Sequence, residues 1–255
     1  MQKTPVIQVK NLTAGYRGGI TLDNINFDIY RGEIFIILGG SGCGKSTLMK
    51  HMIGLYQPYR GQILIDGRDI VLAEGKRRLQ ILQKFGVLFQ SSALLGSMTL
   101  AENVALPLQE YTRLPKETID FLVRMKLNMV GLRGYESYLP AELSGGMRKR
   151  AGIARAMALD PEILFLDEPS AGLDPVTSAG LDNLITQLNA SLGTTMVVVT
   201  HELPSIFSIA HRVIMLDKRT KNIIAEGSPT DLRDKSGDPF VRNFFNRQIG
   251  EGLNV

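Results

Sequence analysis

The chain has 255 residues, 44% of them hydrophobic, with 29 basic and 25 acidic side chains and a net charge of +4. That is enough apolar material for one large domain or a domain with a lobe attached, and too mild a charge to argue for nucleic acid. A single cysteine, Cys43, excludes an internal disulfide and points to a reducing compartment.

The opening MQKTPVIQVKNL lacks the apolar core of a signal peptide. The longest apolar runs, such as residues 34–38 and 196–199, fall far short of the roughly 20 residues that span a bilayer. A cytosolic protein is expected, with any membrane role supplied through a partner. The first strand is IQVKNLTAGY, a loose alternation with Ile7, Val9 and Leu12 apolar. FDIYRGEIFIILGG reads as a strand, a turn at Arg31-Gly32-Glu33, and an apolar run suited to a strand buried on both faces of a parallel sheet. A glycine-rich loop and a helix over 45–53 follow, then GQILIDGRDI, a half-buried strand closed by the hairpin dipeptide Asp66-Gly67. From about residue 92 to 160 helical patterns dominate, in TLAENVALPLQEYT, PKETIDFLVRMKLNMVGL and GGMRKRAGIARAMAL. They read as a helical lobe inserted into an α/β core. After Pro161 the α/β pattern resumes, with the strands ILFLDEP and TMVVVTHE separated by an amphipathic helix that ends at Gly193.

Residues 39–47, GGSGCGKST, fit the phosphate-loop pattern through Gly39, Gly44, Lys45 and Ser46. Gly39, Gly40, Gly42 and Gly44, with Ser41 and Cys43 among them, let main-chain N–H groups turn inward around phosphate oxygens. The helix start adds positive potential. Lys45 reaches the β- and γ-phosphates, and the Ser46 hydroxyl, with Thr47 closing the motif, suits Mg²⁺. The competing reading is a plain glycine-rich turn; the strand before, the spacing and the helix after all oppose it.

ILFLDEP ends in two carboxylates at the C-terminal end of a strand, where ligands bind in open α/β sheets. Asp167 there holds Mg²⁺, directly or through a water, and Glu168 polarises an attacking water; a helix-capping pair is the bland alternative. His201 follows another apolar strand and can hydrogen-bond a γ-phosphate or the water, although most isolated histidines are structural or exposed. Gln90 ends FGVLFQ, where its amide oxygen can bind Mg²⁺ or serve as an ordinary loop residue. Tyr16 can stack on an adenine face or pack in the core. LSGGMRKR, residues 143–150, opens a helix with no strand before it.

Together these elements resemble an ABC-type ATPase, the nucleotide-binding subunit of an ABC transporter, over nearly the whole chain. The resemblance implies an α/β fold: a P-loop NTPase core with a mainly parallel sheet, an N-terminal antiparallel β subdomain and an inserted α-helical lobe. It divides the chain into an ATP-binding domain over 1–235, with the lobe at about 92–160, and a C-terminal extension over 236–255. It makes 39–47 the Walker A loop, Tyr16 the adenine-stacking aromatic, Gln90 the Q-loop glutamine and Asp167 and Glu168 the Walker B pair. Asp174 becomes the D-loop aspartate and His201 the switch histidine. ATP and Mg²⁺ are the implied cofactors. A head-to-tail homodimer is implied, in which Ser144, Gly145 and Gly146 meet the γ-phosphate of a nucleotide held by the other subunit. Such a dimer closes on ATP and opens after hydrolysis.

GVLFQSSALLGSMTLAENVALPLQE, AELSGGMRKRAGIARAMALDPEILFLDEPSAGLDP and GDPFVRNFFNR are similar to the MCE-associated, Mla-type lipid transport ATPases. That similarity implies phospholipid transport from the cytoplasmic face of the inner membrane. The implied partners are an integral membrane permease, which supplies the membrane contact, and an MCE-domain lipid-binding protein. No nucleic-acid partner is expected. Other readings are an iron–sulfur assembly ATPase of similar size, an importer subunit for another cargo, and a non-enzymatic scaffold; the last is opposed by Lys45, Asp167, Glu168 and His201. Met147 stands where the wider family usually has glutamine and the lipid-transport subgroup commonly has methionine. Arg148, Lys149 and Arg150 are expected in salt bridges on a solvated face, and Lys76, Arg77 and Arg78 in a solvated loop, with contact to anionic lipid headgroups as the alternative. Phe240, Val241, Phe244 and Phe245 form an apolar stripe, which packs on its own domain or on another subunit.

Overall fold

The computed structural model describes residues 4–16 and 18–248. The chain divides into two compact units, Met1–Ile81 with Val197–Val255, and Leu82–Met196.

In the first unit, β1 (Pro5–Tyr16) and β2 (Gly19–Tyr30) form a long antiparallel pair. Their inward residues include Val9, Leu12, Ile25, Phe27 and Ile29, while polar residues face out, as befits an antiparallel sheet with one wet face. Asn11, at φ 48, marks a register shift between Val9 and Leu12, which lets both point inward. That bulge is the reason the alternation looks loose in the sequence. β3 (Ile34–Gly39) is buried at every position. α1 (Lys45–Met52) follows, then β4 (Arg60–Ile65) and β5 (Arg68–Asp69). Asp66 and Gly67 between them take φ 46 and 72, the positive pair of a type I′ turn. The antiparallel sheet has the order β2-β1-β4-β5. Lys76, Arg77 and Arg78, expected in a loop, lie instead in α2 (Gly75–Leu82). Arg78 donates to the carbonyls of Ile70 and Gly54, and this fastens the helix.

The second unit begins with β6 (Phe85–Leu88) and three helices, α3 (Leu100–Tyr111), α4 (Lys116–Met129) and α5 (Gly145–Ala156). A capping box between Thr99 and Glu102 starts α3. β7 (Ile163–Asp167) is wholly buried and pairs in parallel with β6. α6 (Pro175–Leu192) starts at an Asp174 cap and stops at Gly193, whose φ is 67. Gly86 on β6 admits α5 closely: a Cβ there would lie 1.9 Å from the Ala156 carbonyl oxygen.

β8 (Thr195–Val199) carries the chain back to the first unit. There α7 (Leu203–Ile209), β9 (Arg212–Asp217), β10 (Asn222–Gly227), α8 (Pro229–Lys235) and α9 (Pro239–Asn246) complete the fold. β9 runs parallel to β3 and antiparallel to β10. The apolar stripe near the C-terminus is α9, and it packs on its own unit. Val241 and Phe245 are buried, and the Phe245 ring lies 5.9 Å from that of Phe207. Residues 249–255 of the expected C-terminal extension lie outside the described residues.

Candidate active site

In the first unit, β3 delivers Gly39 directly into the phosphate loop. Gly39 has φ 149, and a Cβ on it would lie 2.4 Å from the Leu216 carbonyl oxygen and 2.6 Å from Cys43 Sγ. Only glycine fits both the conformation and the space. Gly40, Ser41 and Gly42 form the exposed crest, and Gly44 (φ 105) is the N-cap of α1. No side chain caps this helix and no acidic residue sits in its first turn. The first-turn N–H groups and the positive end of the helix dipole therefore belong to the loop, which is the electrostatic requirement of an anion site. Ser46 and Thr47 stand in that first turn. Lys45 Nζ donates to the carbonyls of Gly39 at 2.8 Å and Gly40 at 3.1 Å, so the ammonium is drawn back across the loop. Cys43 is buried beneath it, and burial pushes its thiol pKa up against the opposing pull of Lys45.

Tyr16, at the end of β1, is 52% exposed, so it presents its ring to solvent and is not a core residue. Tyr56, which the sequence does not single out, lies beside it with ring centroids 5.9 Å apart. His201 is exposed just past β8, next to Thr200, whose N–H donates to the Ile37 carbonyl of β3.

In the second unit, parallel pairing aligns Leu88 with Leu166. Gln90 and the pair Asp167–Glu168 therefore leave one sheet edge together, at the C-terminal ends of the strands. Gln90 is exposed, whereas Asp167 and Glu168 are 6% and 9% exposed. Glu168 has φ 47, a left-handed conformation that a side chain other than glycine adopts at a cost of about 1–3 kcal/mol.

The signature stretch begins α5. Ser144 is the N-cap, and its Oγ accepts from Met147 N at 3.3 Å. Gly145 and Gly146 form the first turn. A Cβ on Gly146 would lie 2.4 Å from Thr177 Cγ2, so this glycine also admits the start of α6. Asp174 caps that helix, accepting from Val176 N at 3.1 Å and Thr177 N at 3.0 Å.

Of the three cations behind the signature, Arg148 is exposed as expected, whereas Lys149 is buried and Arg150 half-buried. Arg148 donates to the Leu143 carbonyl at 2.6 Å, and Arg150 to those of Val130 and Gly180, each at 3.1 Å. Lys149 is buried at 6% exposure and donates to the carbonyls of Gln90 at 2.7 Å and Glu168 at 3.0 Å. Its position was legible in outline. Gly146, Lys149, Gly152 and Ile153 recur at helical spacing on the buried face of α5.

The ABC transporter family pattern matches residues 22–171. The chain is 45% identical over 224 residues to the intermembrane phospholipid transport system ATP-binding protein MlaF of Escherichia coli K12, covering 88% of this chain and 82% of that protein. It is 44% identical over 245 residues to a probable ribonucleotide transport ATP-binding protein, mkl, of Mycobacterium leprae, covering 96% of this chain and 70% of that one. Among solved structures, the dimeric ATP-binding cassette MJ0796 in a post-hydrolysis state with ADP and Pi superposes with a TM-score of 0.79. It is 32% identical, covering 87% of this chain and 98% of that one. With the family pattern matched over residues 22–171 and 45% identity to MlaF over most of both chains, the chain belongs to the ABC transporter family as one of its ATP-hydrolysing subunits.

Proposed function

We propose that this chain powers phospholipid transport as a peripheral ATPase on the cytoplasmic face of the inner membrane. In this reading it works as a head-to-tail homodimer, with an integral membrane permease and an MCE-domain lipid-binding protein as partners. Among the described residues no helix is long and apolar enough to cross a membrane, so contact with the bilayer comes through the permease. The observation that carries the dimer is the second phosphate-type helix start at Ser144-Gly145-Gly146, which has no strand of its own and answers to a nucleotide on the partner chain.

The residues divide the work by chemistry. Tyr16 stacks on the adenine. The N–H groups of the 39–47 loop and the start of α1 hold the triphosphate, and Lys45 exchanges the carbonyls of Gly39 and Gly40 for β- and γ-phosphate oxygens. Ser46, Gln90 and Asp167 would hold Mg²⁺, which supplies charge neutralisation at the phosphates. Glu168 orients the attacking water and accepts its proton as the water oxygen bonds to the γ-phosphorus. The bond from that phosphorus to the β–γ bridging oxygen breaks, leaving ADP and phosphate. His201 hydrogen-bonds the γ-phosphate or the water. Contacts to that phosphate are lost on hydrolysis, so ATP favours the closed dimer and ADP does not.

The mkl match covers more of this chain, 96% against 88%, but phospholipid is preferred over the ribonucleotide cargo in the mkl name because the chain accounts for more of the MlaF protein's own length. The chain spans 82% of the E. coli MlaF protein and only 70% of the M. leprae mkl protein. Two measurements test the reading. Glu168→Gln is expected to bind ATP and dimerise while kcat falls by about 10²–10⁴-fold; near-normal turnover overturns the role of Glu168. Detergent extraction of membranes is expected to recover the chain with an integral membrane subunit, and recovery without one overturns the transport role.

A further inference from the structure

In the second unit Lys149 joins elements that its neighbours in sequence do not reach. Its ammonium is buried, and it joins two main-chain segments distant in sequence. It donates at 2.7 Å to the carbonyl of Gln90, just past β6, and at 3.0 Å to the carbonyl of Glu168, just past β7. Both are charge-assisted bonds, which are stronger than neutral ones. Each lands beside a residue with chemical work to do. The Glu168 carbonyl belongs to a left-handed residue, and it also accepts from the Ala171 N–H at 3.3 Å.

The same helix grips the same loop a second time. Arg155 donates to the carbonyls of Ala93 at 2.5 Å and Ser92 at 3.4 Å, and both of those residues also have positive φ, 49 and 63. Between the two cations Gly152 lets the helix lie on the loop: a Cβ there would sit 2.5 Å from Leu88 Cδ1 and 3.3 Å from the Ser92 carbonyl oxygen. The helix that begins with the signature is thus fastened to the segment 90–93 at both ends of the contact and to Glu168 at one.

We propose that Lys149 is a positioning residue for hydrolysis, whose ammonium holds the main chains of Gln90 and Glu168 so that their side chains keep the geometry the reaction needs. The proposal rests on the reading of Glu168 as the group that accepts the water's proton. It makes a single buried cation the tie between the Q-loop, the Walker B glutamate and the helix whose first turn meets the partner's nucleotide. Signature, Gln90 and Glu168 then shift as one piece when the dimer closes.

The test uses the purified full chain. Glu168→Gln is measured first, and near-normal turnover there sinks both the base assignment and this proposal. Lys149→Met removes both bonds while keeping an unbranched apolar stem. It is expected to lower kcat about 10–100-fold, from loss of charge-assisted bonds, with KM for ATP little changed. Lys149→Arg, which keeps a cation and several donors, is expected to restore kcat to within a few-fold. Amide exchange over 89–93 and 167–171 is expected to quicken in Lys149→Met but not in Lys149→Arg. In a Glu168→Gln background, Lys149→Met is expected to cost little further rate, because the group it positions is already gone. If Lys149→Met fails to fold, the shorter Lys149→Gln is compared with Lys149→Arg by the same readouts. Unchanged kcat in the folded variant overturns the proposal. So does a loss of the same factor with and without Glu168→Gln, since that is the mark of general damage.

Discussion

Gly146→Ala probes how tightly the signature turn is built. Gly146 is helical, so alanine suits its backbone, and restricting the unfolded chain favours the variant by about 0.4–1 kcal/mol. The added methyl meets Thr177 Cγ2 at 2.4 Å, about 1 Å inside ordinary contact. Overpacking of that kind costs about 1–3 kcal/mol. The net expectation is destabilisation by about 1–2 kcal/mol, a fall in Tm of about 2–4 °C per kcal/mol for a chain of this size. Thr177→Ser deletes the offending methyl and keeps the hydroxyl that donates to Asp174 Oδ2 at 2.5 Å. In that background Gly146→Ala is expected to change sign and stabilise by about 0.4–1 kcal/mol. Urea unfolding midpoints of the four chains in the cycle give the result. Equal destabilisation in both backgrounds refutes the steric account. Turnover is read separately, because the methyl also stands where a partner's γ-phosphate is expected: stability returns with Thr177→Ser and ATPase activity does not.

Two neighbouring residues give further expectations. The Thr177 hydroxyl and N–H hold the Asp174 carboxyl below its ordinary pKa, with Val176 N adding to them. A depressed folded pKa contributes stability above the unfolded value of about 3.9 and loses it as pH falls through the folded one. Asp174→Asn is therefore expected to differ most from wild type at neutral pH and to converge with it below about pH 4; a gap in urea midpoint that stays constant with pH contradicts this. Met147→Gln is expected to keep ATPase activity within a few-fold. The Met147 group that touches Ser144 is its main-chain N–H, which the substitution leaves in place; a large loss of turnover would expose a role for the thioether.

What the sequence made legible is what local chemistry decides. A run buried on both faces leading into Gly39, a second ending at Asp167, the Asp66-Gly67 turn and the Gly193 stop each depend on residues within a few positions of one another. What it concealed depends on distant partners. Nothing near Glu168 announces a left-handed backbone in a β-strand's wake, because its carbonyl is held by Lys149, nineteen positions back on another element. Lys76, Arg77 and Arg78 look like a solvated loop until Arg78 finds the carbonyls of Ile70 and Gly54 and helix α2 is secured. Tyr56 has no motif at all and is recognised only by its ring lying beside Tyr16.

The cations of the signature helix show why charge pattern misleads there. A helix macrodipole disfavours a cation near its N-terminus by about 0.3–1 kcal/mol, so Arg148, Lys149 and Arg150 look misplaced in the opening turns of α5. Each instead reaches main-chain carbonyls, and a hydrogen bond from a charged donor contributes about 1.5–3 kcal/mol. Lys149 makes two and Arg150 makes two. The hydrogen bonds outweigh the dipole, and by more for Lys149 and Arg150 than for the exposed Arg148, which has one such bond to the Leu143 carbonyl. Removing one of these buried or half-buried partners also strands carbonyls that water reaches poorly. Replacing all three with neutral helix formers, as a rule based on dipoles alone recommends, would remove the ties that hold α5 to Gln90, Val130, Glu168 and Gly180 and weaken the unit it was meant to stabilise.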